Sequence, residues 1–211
     1  MKITTPLFSL LLLVAVAGCK EKPKEPNTGP YTLRPDSMIV PNTGAMNTYA
    51  SVDLSPMDMS YFPVDYTKLK MAGNVVDPPV ARVIYSRPHL AKRHLFHDLL
   101  KYEEPWRLGA NEATEIDFYK PVTIQDKKVL PGRYIIYCIP HSDTWTIVLN
   151  SNIDSWGLRQ DPSKDIQRFT IPITSGNPLQ EYFTMVFEKT DKGANLLMAW
   201  DNVLAKLPIE F

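Results

Sequence analysis

The sequence predicts an all-β fold: an antiparallel, jelly-roll-like β-sandwich that forms a single domain with one long ordered loop. Short runs in which apolar and polar residues alternate recur between polar turns in the second half of the chain. No long stretch has the apolar spacing of an amphipathic helix. Hydrophobic residues make up 44% of the 211 residues, which is sufficient for a domain with a buried core.

The first residues are typical of an exported bacterial lipoprotein. Lys2 precedes the apolar run PLFSLLLLVAVAG, which is shorter than the roughly 20 residues of a membrane-spanning helix. The small residues end in VAGC, which looks like a bacterial lipobox. We therefore predict a signal peptide over residues 1–18 and lipidation of Cys19, whose acyl chains attach the protein to a membrane. An ordinary signal peptide that ends beside a cysteine is the alternative.

Residues 19–48 are predicted to form a flexible tether, because they are rich in Lys, Glu, Pro, Asn and Gly. Residues 49–211 are predicted to form the β-domain. Lys20 follows the lipidated cysteine and is not the acidic signal for inner-membrane retention, so we expect the outer membrane of a Gram-negative envelope. Because KEKPKE mixes three basic with two acidic residues, the sequence leaves open whether the domain faces the periplasm or the cell surface.

Charge and cysteine content exclude several classes of function. The chain has 23 basic and 23 acidic residues, so there is no electrostatic footprint for nucleic acid. There are 2 cysteines, and with Cys19 lipidated Cys138 has no partner for a disulfide. Cys138 lies in the apolar run YIIYCIP, which indicates an unreactive buried thiol. No cofactor motif is present.

The strand predictions rest on alternation. PVARVIYSRP places Val83 and Tyr85 on one face. Residues 89–109 follow as a long ordered loop with up to one helical turn, because they have neither a clean helical nor a clean strand period. Turns are predicted at Asp126–Lys127 and Pro131–Gly132. The later same-face apolar sets are Thr114, Ile116 and Phe118; Trp145, Ile147 and Leu149; Phe169, Ile171 and Ile173; Phe183, Met185 and Phe187; and Leu196, Met198 and Trp200.

Two motifs carry a resemblance to a known family. YSRP occupies residues 85–88, followed by Arg93 and the pair Leu95–Phe96, and WRLGAN occupies residues 106–111. In these motifs and their order, over most of residues 51–209, the chain resembles an exported bacterial family known as domain of unknown function 2911. The resemblance implies an all-β domain, often on a secreted or lipid-anchored chain, and it implies no reaction.

The chain departs from the family's pattern between the two motifs. His97 and Asp98 stand where the family usually has a pair of glycines. Lys101 and Glu103 stand where it usually has Pro and Gly. We therefore expect the long loop to be stiffer than in the family, or to have a different conformation.

A group of polar residues at the two motifs is the candidate site: Arg87, Arg93, Arg107, Asn111 and Glu112. One interpretation is a pocket for an anion or a carboxylate, because guanidinium groups bind such ligands with two hydrogen bonds. The alternative is a structural network in which the arginines tie loop carbonyls and Glu112 to the sheet. Asn111 suits a turn or a left-handed conformation.

Other candidate centres are weaker. His89, His94 and His97 match no zinc signature, so no metal site is predicted. Ser86 lacks the glycines of a nucleophile elbow. His141, Ser142 and Asp143 are adjacent in the chain, where they cannot form a triad, and no catalytic residue is predicted.

Trp156 lies in a loop and is the candidate exposed aromatic residue. The sequence thus predicts a non-enzymatic, lipid-anchored envelope protein that binds a protein partner or contributes to an outer-membrane complex. The alternative is a small-ligand or carbohydrate-binding module whose cleft is lined by Arg87, Arg107, Glu112 and Trp156.

Overall fold

The computed structural model of the chain describes residues 53–74 and 78–211; the predicted signal peptide, Cys19 and the tether lie outside these residues. The described part contains eleven β-strands and the short helix α1, Tyr66–Met71. The strands are β1 Met57–Phe62, β2 Ala81–Ser86, β3 Glu115–Phe118, β4 Val122–Ile124, β5 Lys127–Val129, β6 Gly132–Pro140, β7 Thr144–Asn150, β8 Asp165–Thr174, β9 Gln180–Lys189, β10 Gly193–Asp201 and β11 Val203–Glu210.

All strands pair antiparallel in one sheet, with the order β1-β2-β3-β6-β7-β8-β11-β10-β9. β4 and β5 form a short hairpin, and β4 pairs with β11. The prediction of an antiparallel all-β single domain is confirmed. The structure specifies the arrangement further, because the sheet is nearly closed into a barrel.

The chain segment that follows β2 brings the two ends of the sheet together. Phe183 N donates to Pro88 O (2.8 Å), and Leu90 N donates to Glu181 O (2.9 Å). These two hydrogen bonds join the continuation of β2 to the beginning of β9. The YSRP motif therefore stands where the barrel closes.

The interior of the barrel is filled by the apolar faces that alternation predicts. Every member of the five predicted sets is buried except Ile173, which is partly exposed. Cys138 is fully buried as well, and burial raises the pKa of its thiol well above the ordinary value. Trp106 lies among the aromatic rings, stacked on Trp200 (5.6 Å between ring centroids) and edge-on to Trp145 (5.7 Å).

One predicted turn is displaced by one residue. The β4–β5 turn is centred on Gln125 and Asp126, whose φ angles are 47° and 63°, and Lys127 already belongs to β5. Two consecutive positive φ angles give the hairpin turn whose twist matches the flanking strands.

The long loop contains one short helical element, in agreement with its sequence. A single π-helical turn covers Leu95–Leu99. The chain then returns to the sheet, where Trp106 N donates to Cys138 O (2.7 Å) and Cys138 N donates to Trp106 O (2.8 Å). WRLGAN thus begins alongside β6, and residues 107–113 leave the sheet as a bulge before β3 begins.

Candidate functional site

The bulge formed by residues 107–113 is held by its own hydrogen bonds and by β2. The Thr114 hydroxyl donates to Leu108 O (2.6 Å), and Trp106 Nε1 donates to Gly109 O (3.2 Å). A Cβ on Gly109 would lie 3.1 Å from Ser86 O, so glycine permits the bulge to pack against the β2 backbone. The two family motifs therefore meet in space.

Left-handed backbone conformations accompany the bulge. Leu108 and Asn111 have φ angles of 53° and 56°. Asn111 tolerates this conformation, and its Nδ2 donates to Asp53 Oδ2 (2.6 Å). Leu108 is fully buried and has no such local bond from its side chain. Non-glycine residues in this region cost about 1 kcal/mol or more, and such residues are frequent at functional sites.

An open groove of about 560 Å³ lies on the outer face of the sheet beside the bulge. Its floor includes Ile84 and Glu115, which are paired in β2 and β3 and point away from the core because their neighbours Val83 and Ile116 point into it. Met57 of β1 lines one side. The remaining lining residues are Glu112 and Ala113 of the bulge and Asp154, Ser155 and Trp156 of the β7–β8 loop.

The β7–β8 loop is fixed at its base and against the bulge. Asn150 Nδ2 donates to Asp161 O and to Asp165 Oδ1, both at 2.8 Å. Gly157, with φ 78°, packs on the bulge so closely that a Cβ would lie 2.9 Å from the Ala113 Cβ. Trp156 itself remains 66% exposed. The fold thus holds an uncovered indole ring at the edge of the groove.

Three carboxylates line the groove, and a single guanidinium positions two of them. Arg133 Nη2 lies 2.5 Å from Asp154 Oδ1, and Arg133 Nε lies 3.7 Å from Glu115 Oε2. Glu112 is exposed and makes no ion pair among the described residues. The groove therefore offers carboxylate oxygens as hydrogen-bond acceptors beside an aromatic surface.

Arg107 does not line the groove, although its neighbours do. Its Nε is buried and has no hydrogen-bond partner among the described residues. Burial lowers the pKa of Arg107, and the negative charge of Glu112 offsets this effect only in part. Arg107 is thus a half-buried cation that the described fold leaves without a hydrogen bond.

Arg87 and Arg93 lie away from the groove and form hydrogen bonds with other residues of the domain. Arg87 donates from Nε to Phe183 O (3.3 Å) and forms an ion pair with Asp58 (3.2 Å), so it connects β9 with β1 across the barrel closure. Arg93 donates from Nε to Leu90 O (2.9 Å), within its own loop. Of the predicted polar residues, only Glu112 reaches the groove.

A family profile matches residues 68–209, and its description is "Protein of unknown function (DUF2911)". The chain belongs to this family. Comparisons with curated proteins and with solved structures give no match. Membership confirms the resemblance to this family and leaves the chemistry of the site to be argued from the groove.

The described residues hold neither a group of three His, Cys, Asp or Glu side chains placed to bind a metal ion nor a helix long and apolar enough to cross a membrane. The histidines of the long loop have other contacts. His89 stacks on Tyr182 (5.5 Å between ring centroids), and His97 Nδ1 lies 2.6 Å from Asp98 Oδ1.

Most of the groove could not be found from the sequence. The set Thr114, Ile116 and Phe118 implies that Glu115 lies on the opposite face of its strand, but that pattern also describes any solvated strand. Asp154 stands two residues before Trp156, which was the only available signal that this loop carries both a charge and an aromatic ring.

Proposed function

We propose that this chain is a lipid-anchored binding protein of the Gram-negative envelope and that its outer groove receives a partner protein. The observation that carries the proposal is the exposure of Trp156 and Met57, 66% and 48%, at an open groove with three carboxylates. Exposed apolar side chains grouped in this way are typical of interaction surfaces. Tryptophan is also over-represented among the residues that dominate binding energy.

The chemistry of the groove indicates which side chains the partner segment should carry. Leu158, in the same loop as Trp156, is 65% exposed and extends the apolar character of that loop. The carboxylates of Glu112 and Asp154 complement a Lys or Arg side chain, and such a cation also binds to the face of an indole ring. The expected partner segment therefore carries a basic side chain next to apolar ones.

The anchor is part of the proposal and rests on the sequence. Acylation of Cys19 would hold the domain at the outer membrane, and the tether over residues 19–48 would raise its effective concentration near an envelope partner. Replacing Cys19 by Ser should move the protein from the membrane fraction to the soluble fraction. Protease treatment of intact cells decides between the periplasmic and the outward face.

Site-specific crosslinking tests the groove. A photo-crosslinking amino acid at position 156 should capture a partner in intact cells, whereas the same group at position 130 should not. Leu130 is a matched control because it is 62% exposed, compared with 66% for Trp156, and lies in the β5–β6 turn. The captured protein should then bind the purified chain. Trp156→Ala should weaken that binding at least ten-fold, about 1.4 kcal/mol, and Leu130→Ala should leave it unchanged. Equal effects at both positions would refute the assignment.

A small polar ligand is the second candidate, because the groove volume lies in the range of small-molecule sites and an indole ring can stack on a sugar. The structure places Glu112 and Trp156 of the predicted cleft in the groove, but it places Arg87 and Arg107 outside it. Quenching of Trp fluorescence by envelope saccharides, lost in Trp156→Phe, would favour this candidate over the protein partner.

A further inference from the structure

Three side chains outside the groove lie in hydrogen-bond contact at the β6–β7 hairpin. His141 Nδ1 lies 2.7 Å from Glu103 Oε1, and His141 Nε2 lies 3.1 Å from Thr146 Oγ1. Glu103 comes from the long loop, 38 residues before His141, and Thr146 belongs to β7. Separated segments therefore supply the carboxylate and the hydroxyl that the chain neighbours of His141 cannot supply.

The partners of His141 indicate which tautomer a neutral ring adopts. An ionised carboxylate only accepts hydrogen bonds, so the proton of a neutral His141 ring lies on Nδ1. Nε2 then carries the lone pair and accepts the Thr146 hydroxyl. Carboxylate, imidazole and hydroxyl in this order are the groups that activate a nucleophilic oxygen in acyl-transfer enzymes.

The backbone fixes all three groups. Glu103 has a φ angle of 65°, and its N donates to Pro140 O (2.9 Å). His141 N donates to Thr144 O (2.8 Å), which closes the hairpin. The side chains remain accessible to a substrate, because His141 is 30% exposed and Glu103 is 70% exposed.

We propose that Glu103, His141 and Thr146 form an acyl-transfer centre that hydrolyses small carboxylic esters. Thr146 Oγ1 forms a bond to the ester carbonyl carbon while its proton moves to His141 Nε2. The bond from that carbon to the leaving alcohol then breaks, and His141 gives the proton to the alcohol. Water attacks the acyl-Thr146 ester by the same route, which releases the acid and restores the hydroxyl. Throughout the reaction, His141 Nδ1–H donates a hydrogen bond to the Glu103 carboxylate, which orients the ring.

The surroundings of Thr146 limit the expected rate. The neighbouring strand backbone is engaged in pairing with β6 and β8, so it supplies no free amide for an oxyanion. The Thr170 hydroxyl, 3.4 Å from Thr146 Oγ1, can act as a side-chain donor there. The centre should therefore supply general-base catalysis of about 10²-fold, at the lower end of that effect.

Hydrolysis of p-nitrophenyl acetate by the full chain in detergent tests the centre. Thr146→Val and His141→Gln should each lower the rate above background at least ten-fold, and acid-quenched protein should carry an acetyl group on Thr146. His97→Gln is the matched control. His97 also contacts a carboxylate, but its ring has no hydroxyl partner among the described residues. This control should retain the full rate.

Two results would overturn the proposal. Equal losses in His141→Gln and His97→Gln would show that exposed imidazoles act without the hydroxyl. An unchanged rate in Thr146→Val would show that the three groups only connect the loop to the hairpin. If these variants fail to fold, Glu103→Gln decides, because it keeps a hydrogen-bond acceptor and removes the charge. At least a ten-fold loss is expected, and an unchanged rate refutes the centre.

Discussion

One substitution made at two positions tests whether the arginines near the family motifs stabilise the fold. Arg82 donates from Nε and Nη2 to the same oxygen of Asp117 (2.8 and 2.6 Å), and Asp117 is only 9% exposed. Arg107 has a buried Nε that donates to none of the described residues. Replacement by Met keeps most of the apolar stem and removes the charge, so it isolates the contribution of each guanidinium.

Arg82→Met should destabilise the protein. It leaves the buried Asp117 carboxylate without its cation, and removing one partner of a charged hydrogen bond costs about 1.5–3 kcal/mol. Because Arg82 is partly exposed, the lower half of that range is expected, about 1.5–2 kcal/mol. At about 2–4 °C per kcal/mol for a chain of this size, the Tm should fall by about 3–8 °C.

Arg107→Met should stabilise the protein or leave its stability unchanged. Burial lowers the pKa of Arg107 in the folded protein, so the charged form is less favourable there than in the unfolded chain. A lowered pKa of a basic group destabilises the fold at every pH below that pKa, which includes neutral pH. Solvent still reaches part of the side chain, so removing the charge should stabilise by about 0–1 kcal/mol and raise the Tm by at most about 4 °C.

Thermal unfolding of the full chain, followed by circular dichroism, measures both effects under identical conditions, and urea unfolding supplies the free energies. The decisive observation is that Tm falls in Arg82→Met but does not fall in Arg107→Met. A fall in Tm for Arg107→Met as large as that for Arg82→Met would refute the reasoning. It would show that Arg107 belongs to the stabilising polar network that the sequence suggested as one interpretation.

Three further predictions concern the groove, the alkaline range and the core. Gly157→Ala should destabilise by about 1–3 kcal/mol and weaken partner binding, because its Cβ would lie 2.9 Å from the Ala113 Cβ at a φ of 78°. Burial and then Asp165 raise the pKa of Tyr137 from 10.0 to about 12. Stability measured by urea unfolding should therefore fall as pH rises between these values, because the unfolded chain loses this proton first, and Tyr137→Phe should lessen the fall. A thiol reagent should modify Cys138 only after unfolding, as detected by peptide mapping, since its side chain is fully buried and burial raises its pKa. Rapid modification of the native protein would contradict its burial.

The sheet could be predicted because alternation reports directly which side of a strand is buried. Trp145, Ile147 and Leu149 are apolar at every second position, and all three are fully buried. Closure into a barrel could not be predicted in this way. Closure depends on backbone hydrogen bonds of Pro88 and Leu90 with β9. The alternation of side chains gives no information about such backbone contacts.

The groove escaped prediction because its lining residues come from four separate segments. Ile84 and Glu115 are brought together only by the register of β2 with β3, and Asp154 joins them only through the β7–β8 loop. The same applies to Glu103 and His141. The partners of His141 are not Ser142 and Asp143, its neighbours in the chain. They are Glu103 in the long loop and Thr146 on β7.

The departure of this chain from the family's pattern at position 103 now has a physical account. The resemblance implies a glycine there, and Glu103 adopts the left-handed conformation, with φ 65°, that glycine reaches without strain. A glutamate at this position therefore costs about 1 kcal/mol in backbone conformation. Its carboxylate gains the contact with His141, which a glycine cannot make. The same contact ties the long loop to the β6–β7 hairpin.

Aromatic side chains fill the interior of the barrel, which is why the proposed site lies on its outer surface. Trp106, Trp145, Phe183 and Trp200 contact one another inside the barrel, where they occupy the space in which other barrels hold ligands. The WRLGAN segment connects the core with the groove. Its tryptophan completes the aromatic core, and the bulge that follows directs Glu112 and Ala113 outward to the groove. This change of direction is accompanied by left-handed backbone conformations at Leu108 and Asn111, which carry local strain. The WRLGAN segment is therefore the element that connects the core to the proposed binding surface.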